Sequence, residues 1–147
     1  TASPGAPVCC IGYSFGAAVA LQISGDACVS HLILIAPPTA LTDFSALARV
    51  KKPTLVICGH QDALSDPRAL RGLLAPLGDL AVLEVIPHAD HGFLRGLPEL
   101  GRAVVQWLRG DEPLPETARA LAEDDGGNSV VELTLPEGDA EPVELDE

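Results

Sequence analysis

The segment Gly12-Tyr13-Ser14-Phe15-Gly16 holds a serine with a glycine two residues to either side. An apolar, strand-like run precedes it and an Ala-rich, helix-like run follows it. This G-x-S-x-G placement is typical of a nucleophile elbow, a tight turn that projects the serine hydroxyl above the sheet edge. The glycines let strand and helix approach, and the helix directs its positive dipole end at the serine. We therefore predict Ser14 as a nucleophile and the Phe15 N–H as one oxyanion-hole donor. The alternative is a glycine-flanked turn without chemistry.

A serine hydroxyl is a poor nucleophile until a base takes its proton, and an acid must hold that base in one tautomer. Asp62 follows the apolar run that ends at Cys58, and His91 follows the run that ends at Ile86. The carboxyl ends of parallel strands share one edge of a sheet, so both side chains should emerge beside Ser14. The order Ser, Asp, His also agrees with elbow-type sites. We predict a triad of Ser14 as nucleophile, His91 as base and Asp62 as orienting acid.

Two other acids compete with Asp62 for this role. Asp43 lies in the preceding loop and is the main competitor. Asp66 stands directly before Pro67, an arrangement better explained as an N-cap followed by proline at the first helical position. Asp62 could also be a simple turn former.

The other histidines have weaker positions than His91. His88 is the rival base, and we rank it lower because His91 lies at the approach to the last helix. His31 opens a strand, which predicts a structural role. Tyr13, beside the serine, and His60, at the predicted pocket mouth, are expected to contact the substrate.

The elements that would position these residues are four short apolar strands alternating with helices. The strand signals are continuous rather than alternating, which indicates a mainly parallel sheet buried on both faces. They cover residues 8–11, 32–35, 55–58 and 80–86. Helices are predicted at 15–23, 67–77 and 97–108, with one short helix around 44–49. The apolar face predicted for the last long helix is Leu97, Leu100, Val104, Val105 and Leu108. This alternation predicts an α/β fold, a three-layer α/β/α sandwich.

The charge distribution divides the chain into two regions. Residues 1–110 hold eight Asp or Glu and eight Lys or Arg, so the net charge of −12 comes from residues 111–147. We predict one folded domain over 1–110 and an acidic, largely disordered tail, with a possible short helix at 115–122 and an edge strand at 130–135. The lack of a basic stripe argues against nucleic-acid binding. No apolar run approaches the roughly 20 residues of a membrane span.

The four cysteines are Cys9, Cys10, Cys28 and Cys58. Their spacing matches neither a zinc site nor a disulfide framework. Three of them lie in apolar strand-like runs, where a free cysteine behaves as a small hydrophobic residue. This usage favours a reducing compartment and predicts a cytoplasmic protein.

With these motifs, the chain resembles the α/β-hydrolase superfamily, and within it the small, lidless, dienelactone-hydrolase-like bacterial members. The resemblance rests on IGYSFGAAVA around Ser14, APP at 36–38, KPTLVICGHQD up to Asp62 and IPHADHGF through His91. It covers residues 8 to 108 and is specific to the superfamily, not to a substrate. It implies a serine hydrolase acting on a small acyl substrate, with no metal or organic cofactor.

Two features depart from the family pattern. The strands and helices that precede the nucleophile strand in the family are not present, and they normally supply the second oxyanion donor. The strand at 8–11 should therefore lack a partner on one edge and helical cover on both faces, which exposes an aggregation-prone edge. We expect the sequence to be the C-terminal half of such a domain, completed by a missing N-terminal half or a companion chain. The acidic tail is the second departure.

The loop at 37–53 has room for only one short helix, which predicts an open site suited to a small carboxylic ester or related acyl compound. Aminopeptidase-like or thioesterase chemistry would use the same triad. The competing hypothesis is a non-catalytic scaffold or binding protein with this fold, whose acidic tail docks a basic partner.

Overall fold

The computed structural model describes residues 6–110. The strands are β1 (Val8–Tyr13), β2 (Val29–Ile35), β3 (Thr54–Gly59) and β4 (Ala81–Ile86). The α-helices are α1 (Phe15–Ile23), α2 (Pro67–Leu74) and α3 (Leu97–Arg109), and two 3-10 helices span Ser45–Arg49 and Ala75–Leu80. The predicted acidic tail, with its helix at 115–122 and strand at 130–135, lies outside the described residues.

The strands form one parallel sheet in the order β1-β2-β3-β4. Ile33 in β2 pairs with Ile11 in β1 on one side and with Leu55 in β3 on the other. Every residue of β3 is buried. These continuous apolar strands can be buried on both faces because helices pack above and below them.

Helices cover the two faces of the sheet and complete three layers. On one face α1, α2 and the first 3-10 helix pack against the sheet, with Ala17, Leu47 and Leu70 fully buried. On the other face α3 and the segment before it pack around Ile57, Phe93 and Ala103. The α/β fold, the mainly parallel sheet and the three-layer sandwich are thus confirmed.

The second helical segment differs from its prediction, which ran to residue 77. α2 ends at Leu74, and a 3-10 helix continues to Leu80. Pro76 lies at the start of this 3-10 helix, where it has no N–H to continue the α-helical hydrogen bonds. Gly78 then turns the chain with a φ of 54°, so β4 begins at Ala81 rather than at Leu80.

The predicted apolar face of α3 is only partly right. Leu97, Val105 and Leu108 are each between 44% and 63% exposed. The residues that pack on the sheet are Leu100, Ala103, Val104 and Trp107. They follow the helical spacing of three and four residues along the chain, with Ala103 buried and the other three partly buried.

β1 is the edge strand of the sheet that residues 6–110 form. Its predicted loss of helical cover is wrong for one face, because the turn at Ser14 folds α1 back onto β1, where Ala17 and Cys10 join one core cluster. On the opposite face Ile11 is 51% exposed.

Among the helices of residues 6–110, none is long and apolar enough to cross a membrane.

Candidate active site

Three polar side chains form a continuous hydrogen-bonded chain at the carboxyl edge of the sheet. Ser14 Oγ lies 2.8 Å from His91 Nε2. His91 Nδ1 lies 2.8 Å from Asp62 Oδ2. The structure therefore brings together the three residues that the sequence pattern selected, each from the loop that follows a different strand.

The backbone at Ser14 adopts the tight turn that the G-x-S-x-G pattern predicts. Its φ of 52° and ψ of −120° lie in a region that side chains rarely occupy, at a cost of about 1–3 kcal/mol. The Ser14 N–H donates to the Ile35 carbonyl at 2.8 Å, which ties the turn to β2. The serine hydroxyl is held outside the sheet edge as a result.

The two glycines of the motif have different roles. A Cβ on Gly12 would lie 2.2 Å from the Gly16 carbonyl oxygen, so only glycine lets β1 and α1 approach this closely. A Cβ on Gly16 would meet nothing within 4 Å. The expectation that both glycines are needed for close packing is therefore wrong for Gly16.

Asp62, the last of the three hydrogen-bonded side chains, is fully shielded from solvent. The Asp62 side chain is 0% exposed, while that of His91 is 27% exposed. Asp62 Oδ1 accepts a hydrogen bond from the Leu64 N–H at 2.8 Å, and Oδ2 faces the imidazole. A buried carboxylate is tolerated when it is hydrogen-bonded in this way. Since a carboxylate only accepts, His91 carries its proton on Nδ1, and Nε2 is left to accept from the serine hydroxyl.

The loops that carry the acid and the base are joined by their backbones. The His60 N–H donates to the Ile86 carbonyl at 3.0 Å, and the Gln61 N–H donates to the Ala89 carbonyl at 2.9 Å. Gly59 lies against the same segment, because a Cβ there would be 2.3 Å from the Ala89 oxygen. The relative position of Asp62 and His91 is therefore set mainly by backbone contacts.

The residues predicted to surround the triad lie in different places. Phe15 is the first residue of α1, so its N–H has no acceptor one turn earlier, and the residue is 72% exposed. His60 is exposed and lines a cleft of about 490 Å³ beside Asp62. Tyr13 is directed to the base: its hydroxyl donates to the His91 backbone carbonyl at 2.8 Å. This contact was not anticipated, and the sequence shows no sign of it beyond the adjacency of Tyr13 to Ser14.

The competing acids have partners of their own. Asp43 accepts from the N–H and the hydroxyl of Ser45, and mainly the N–H bond holds the pKa of Asp43 below its usual value. Asp66 accepts from the Arg68 N–H at 2.9 Å and caps α2, as predicted. Neither acid contacts His91 in the way that Asp62 does.

The competing histidines are also accounted for. His31 Nδ1 lies 2.9 Å from the Ser30 hydroxyl, and its ring packs edge-on against Trp107, in agreement with a structural role. His88 is exposed and has a φ of 58° in the loop before His91. Within residues 6–110, no group of three or more His, Cys, Asp or Glu side chains could hold a metal ion.

Comparison with known proteins gives likenesses in structure. No protein-family model and no curated protein sequence matches this chain. An α/β serine hydrolase without a lid from Xanthomonas campestris is 34% identical, with a TM-score of 0.58 over 74% of this chain and 50% of that one. An α/β serine hydrolase homologue from Coxiella burnetii is 27% identical, with a TM-score of 0.61 over 69% of this chain and 49% of that one. A monoacylglycerol lipase from Paleococcus ferrophilus, 15% identical, shares the fold with a TM-score of 0.60, over 73% of this chain and 70% of that one.

The chain spans about half the length of the first two of these hydrolases. Taken with the fold, these likenesses establish that the chain belongs to the α/β-hydrolase superfamily.

Proposed function

We propose that the protein is a serine hydrolase that cleaves a small carboxylic ester through Ser14, His91 and Asp62. The observation that carries the proposal is the unbroken chain of two 2.8 Å hydrogen bonds from the Ser14 hydroxyl through the imidazole to a buried carboxylate. An arrangement of this kind activates a hydroxyl for attack on a carbonyl carbon.

The reaction would proceed in two halves. Ser14 Oγ attacks the ester carbonyl carbon while His91 Nε2 takes the hydroxyl proton, and the Asp62 carboxylate stabilises the imidazolium. The Phe15 N–H donates to the oxyanion of the tetrahedral intermediate. Collapse breaks the bond to the alkoxide, which receives the proton from His91, and leaves an acyl-serine. Water, activated by His91, then releases the carboxylic acid and restores Ser14.

The surroundings of Ser14 favour a small and accessible substrate. The segment between β2 and β3 contains only the 3-10 helix Ser45–Arg49, too little to form a cap over the site. Tyr13 is 48% exposed and Phe15 72% exposed, so apolar surface flanks the serine in the open. Esters with short acyl chains fit such a site better than long lipids do.

Completion of the oxyanion hole belongs to the same proposal. We assign one donor, the Phe15 N–H, and a second would come from outside residues 6–110, on this chain or on a companion chain.

A cytoplasmic location remains a prediction from the four cysteines, all of which are free.

A fluorophosphonate probe tests the proposal directly, because it reacts with activated serines. The 147-residue chain should be labelled at Ser14, as located by peptide mass spectrometry, and Ser14→Ala should abolish labelling. Ser30→Ala is the matched control, since Ser30 is also partly buried but lies at the opposite end of the sheet. It should be labelled as the wild type is.

The same experiment separates the enzyme from the scaffold hypothesis. Labelling at Ser14 with turnover of p-nitrophenyl acetate supports the hydrolase. If the folded chain is neither labelled nor active, the catalytic proposal is wrong for this chain and a binding role becomes the better explanation.

A further inference from the structure

Two consecutive residues at the end of β1 hold the same histidine. Ser14 contacts the His91 ring at Nε2, and Tyr13 donates its hydroxyl to the His91 backbone carbonyl, each at 2.8 Å. The rings of Tyr13 and His91 are also neighbours, with centroids 5.9 Å apart and planes inclined to each other by 32°. His91 is therefore tied to the nucleophile segment through both its side chain and its main chain.

The other bonds in this loop act on neighbouring residues. The Gln61 N–H holds the Ala89 carbonyl, and the Phe93 N–H closes a turn onto the Asp90 carbonyl. Among the described residues, the hydrogen bond recorded for the His91 carbonyl comes from Tyr13. Because the backbone of His91 sets where its imidazole can reach, this bond fixes the distance from the base to Ser14 more directly than its neighbours do.

We propose that Tyr13 is a positioning residue for His91, an inference that rests on the proposed hydrolase function. A phenol has one proton to donate, and that of Tyr13 is already given to the His91 carbonyl. Tyr13 therefore serves the base in place of a hydrogen bond to substrate, which revises the role expected from the sequence. The ring contact restricts the rotation of the imidazole, and the hydroxyl holds its main chain.

Tyr13→Phe removes the hydroxyl and keeps the ring, so it isolates the hydrogen bond. In the full chain, we expect kcat for p-nitrophenyl acetate and the rate of fluorophosphonate labelling to fall about three- to tenfold, the loss that one neutral hydrogen bond accounts for. KM should stay within about twofold, because no substrate contact is removed. Ser30→Ala is the control: it removes a hydroxyl that donates to the Val8 carbonyl at 3.1 Å and lies 2.9 Å from His31 Nδ1, far from the site. It should leave both rates unchanged.

A second measurement does not depend on activity. In ¹⁵N spectra of the His91 imidazole, the wild type should show one tautomer with the proton on Nδ1. Tyr13→Phe should keep the Nδ1 signal, because the bond to Asp62 is retained, and should shift the Nε2 signal toward that of an imine nitrogen without a hydrogen bond, because the bond from Ser14 is weakened. For Ser30→Ala the His91 signals should stay as in the wild type, and the change should be confined to His31, whose Nδ1 loses the Ser30 hydroxyl.

The outcomes distinguish this inference from the proposed function. A Tyr13→Phe variant with wild-type rates and an unchanged imidazole spectrum would overturn the positioning role while leaving the hydrolase intact. A higher KM with unchanged kcat would also overturn it, in favour of substrate contact. If the wild type is not labelled at Ser14, the hydrolase proposal fails, and the imidazole spectra alone then decide whether Tyr13 orders His91.

Discussion

A single methyl group added at Gly59 should disturb the alignment of the loop that carries Asp62 with the loop that carries His91. It ends β3, directly before the segment that carries Asp62. A Cβ at this position would lie 2.3 Å from the Ala89 carbonyl oxygen, 2.7 Å from its carbon and 3.0 Å from the Asp90 carbonyl oxygen. All three are backbone atoms, so no side chain can rotate away. The φ of Gly59 is not in the left-handed region, and the cost of Gly59→Ala is therefore steric.

The geometry sets the size of the effect. To reach ordinary contact, the segment at Ala89 and Asp90 would have to move by roughly 1 Å. His91 follows directly, and its 2.8 Å bond to Asp62 would be lengthened beyond hydrogen-bonding range by such a shift. A misplacement of about 1 Å costs on the order of 100-fold in rate, and overpacking costs about 1–3 kcal/mol in stability. We expect both losses in Gly59→Ala.

The assay pairs fluorophosphonate labelling with urea unfolding. Gly101→Ala is the matched control, because it adds the same methyl group in α3, where a Cβ meets nothing within 4 Å. That variant should keep its labelling rate and gain about 0.5–1 kcal/mol, as expected for alanine in place of glycine within a helix. Cooperative urea unfolding of Gly59→Ala would show that the variant folds, so that a low labelling rate reflects displacement of His91 and not failure to fold. If the folded variant is labelled at nearly the wild-type rate, the backbone contact does not align the two loops.

Two further predictions concern Asp62 and Cys58. Asp62→Asn should keep the fold but lower kcat about 10³- to 10⁴-fold, because an amide can stabilise the wrong tautomer of His91; a loss below tenfold in steady-state assays would exclude the orienting role. Burial raises the pKa of the Cys58 thiol from 9.0 to about 12. The unfolded state therefore loses its proton first, and the stability present below pH 9 should decrease by up to about 1.4 kcal/mol per pH unit between pH 9 and 12. The free energy of unfolding, measured with urea from pH 8 to 10.5, should decrease less steeply with pH in Cys58→Ala than in the wild type. An equal decrease in both proteins would contradict the raised pKa of Cys58.

The order of elements could be predicted because each strand contains a continuous apolar run and the start of α2 has a clear capping signal. β3 follows Pro53 and is buried throughout, while Asp66 and Pro67 start α2. The positions of Ser14, Asp62 and His91 followed from one further rule, that parallel strands present their carboxyl ends at one edge. Local pattern and topology therefore sufficed to select the three residues.

The remaining features depend on distances between loops, which the sequence pattern does not encode. The residues around Tyr13 do not indicate that its hydroxyl reaches the His91 carbonyl. That contact depends on the distance between β1 and the loop that carries His91. The need for glycine at position 59 has the same origin, since the opposing atom belongs to Ala89 in another loop. In α3, the predicted face was displaced because Trp107 packs on the sheet and Val105 does not.

The two distances within the triad are maintained by interactions of unequal strength. Asp62 and His91 are aligned by backbone hydrogen bonds and by the close approach of Gly59 to Ala89. Ser14 stands on the edge strand, held by its N–H bond to Ile35 and by the side chain of Tyr13. A single side-chain hydrogen bond contributes only about 1 kcal/mol, so the distance from nucleophile to base should be the more easily altered of the two. Tyr13→Phe perturbs the distance from Ser14 to His91, and Gly59→Ala perturbs the distance from His91 to Asp62. We therefore expect the imidazole to remain bonded to Asp62 in Tyr13→Phe and to lose that bond in Gly59→Ala.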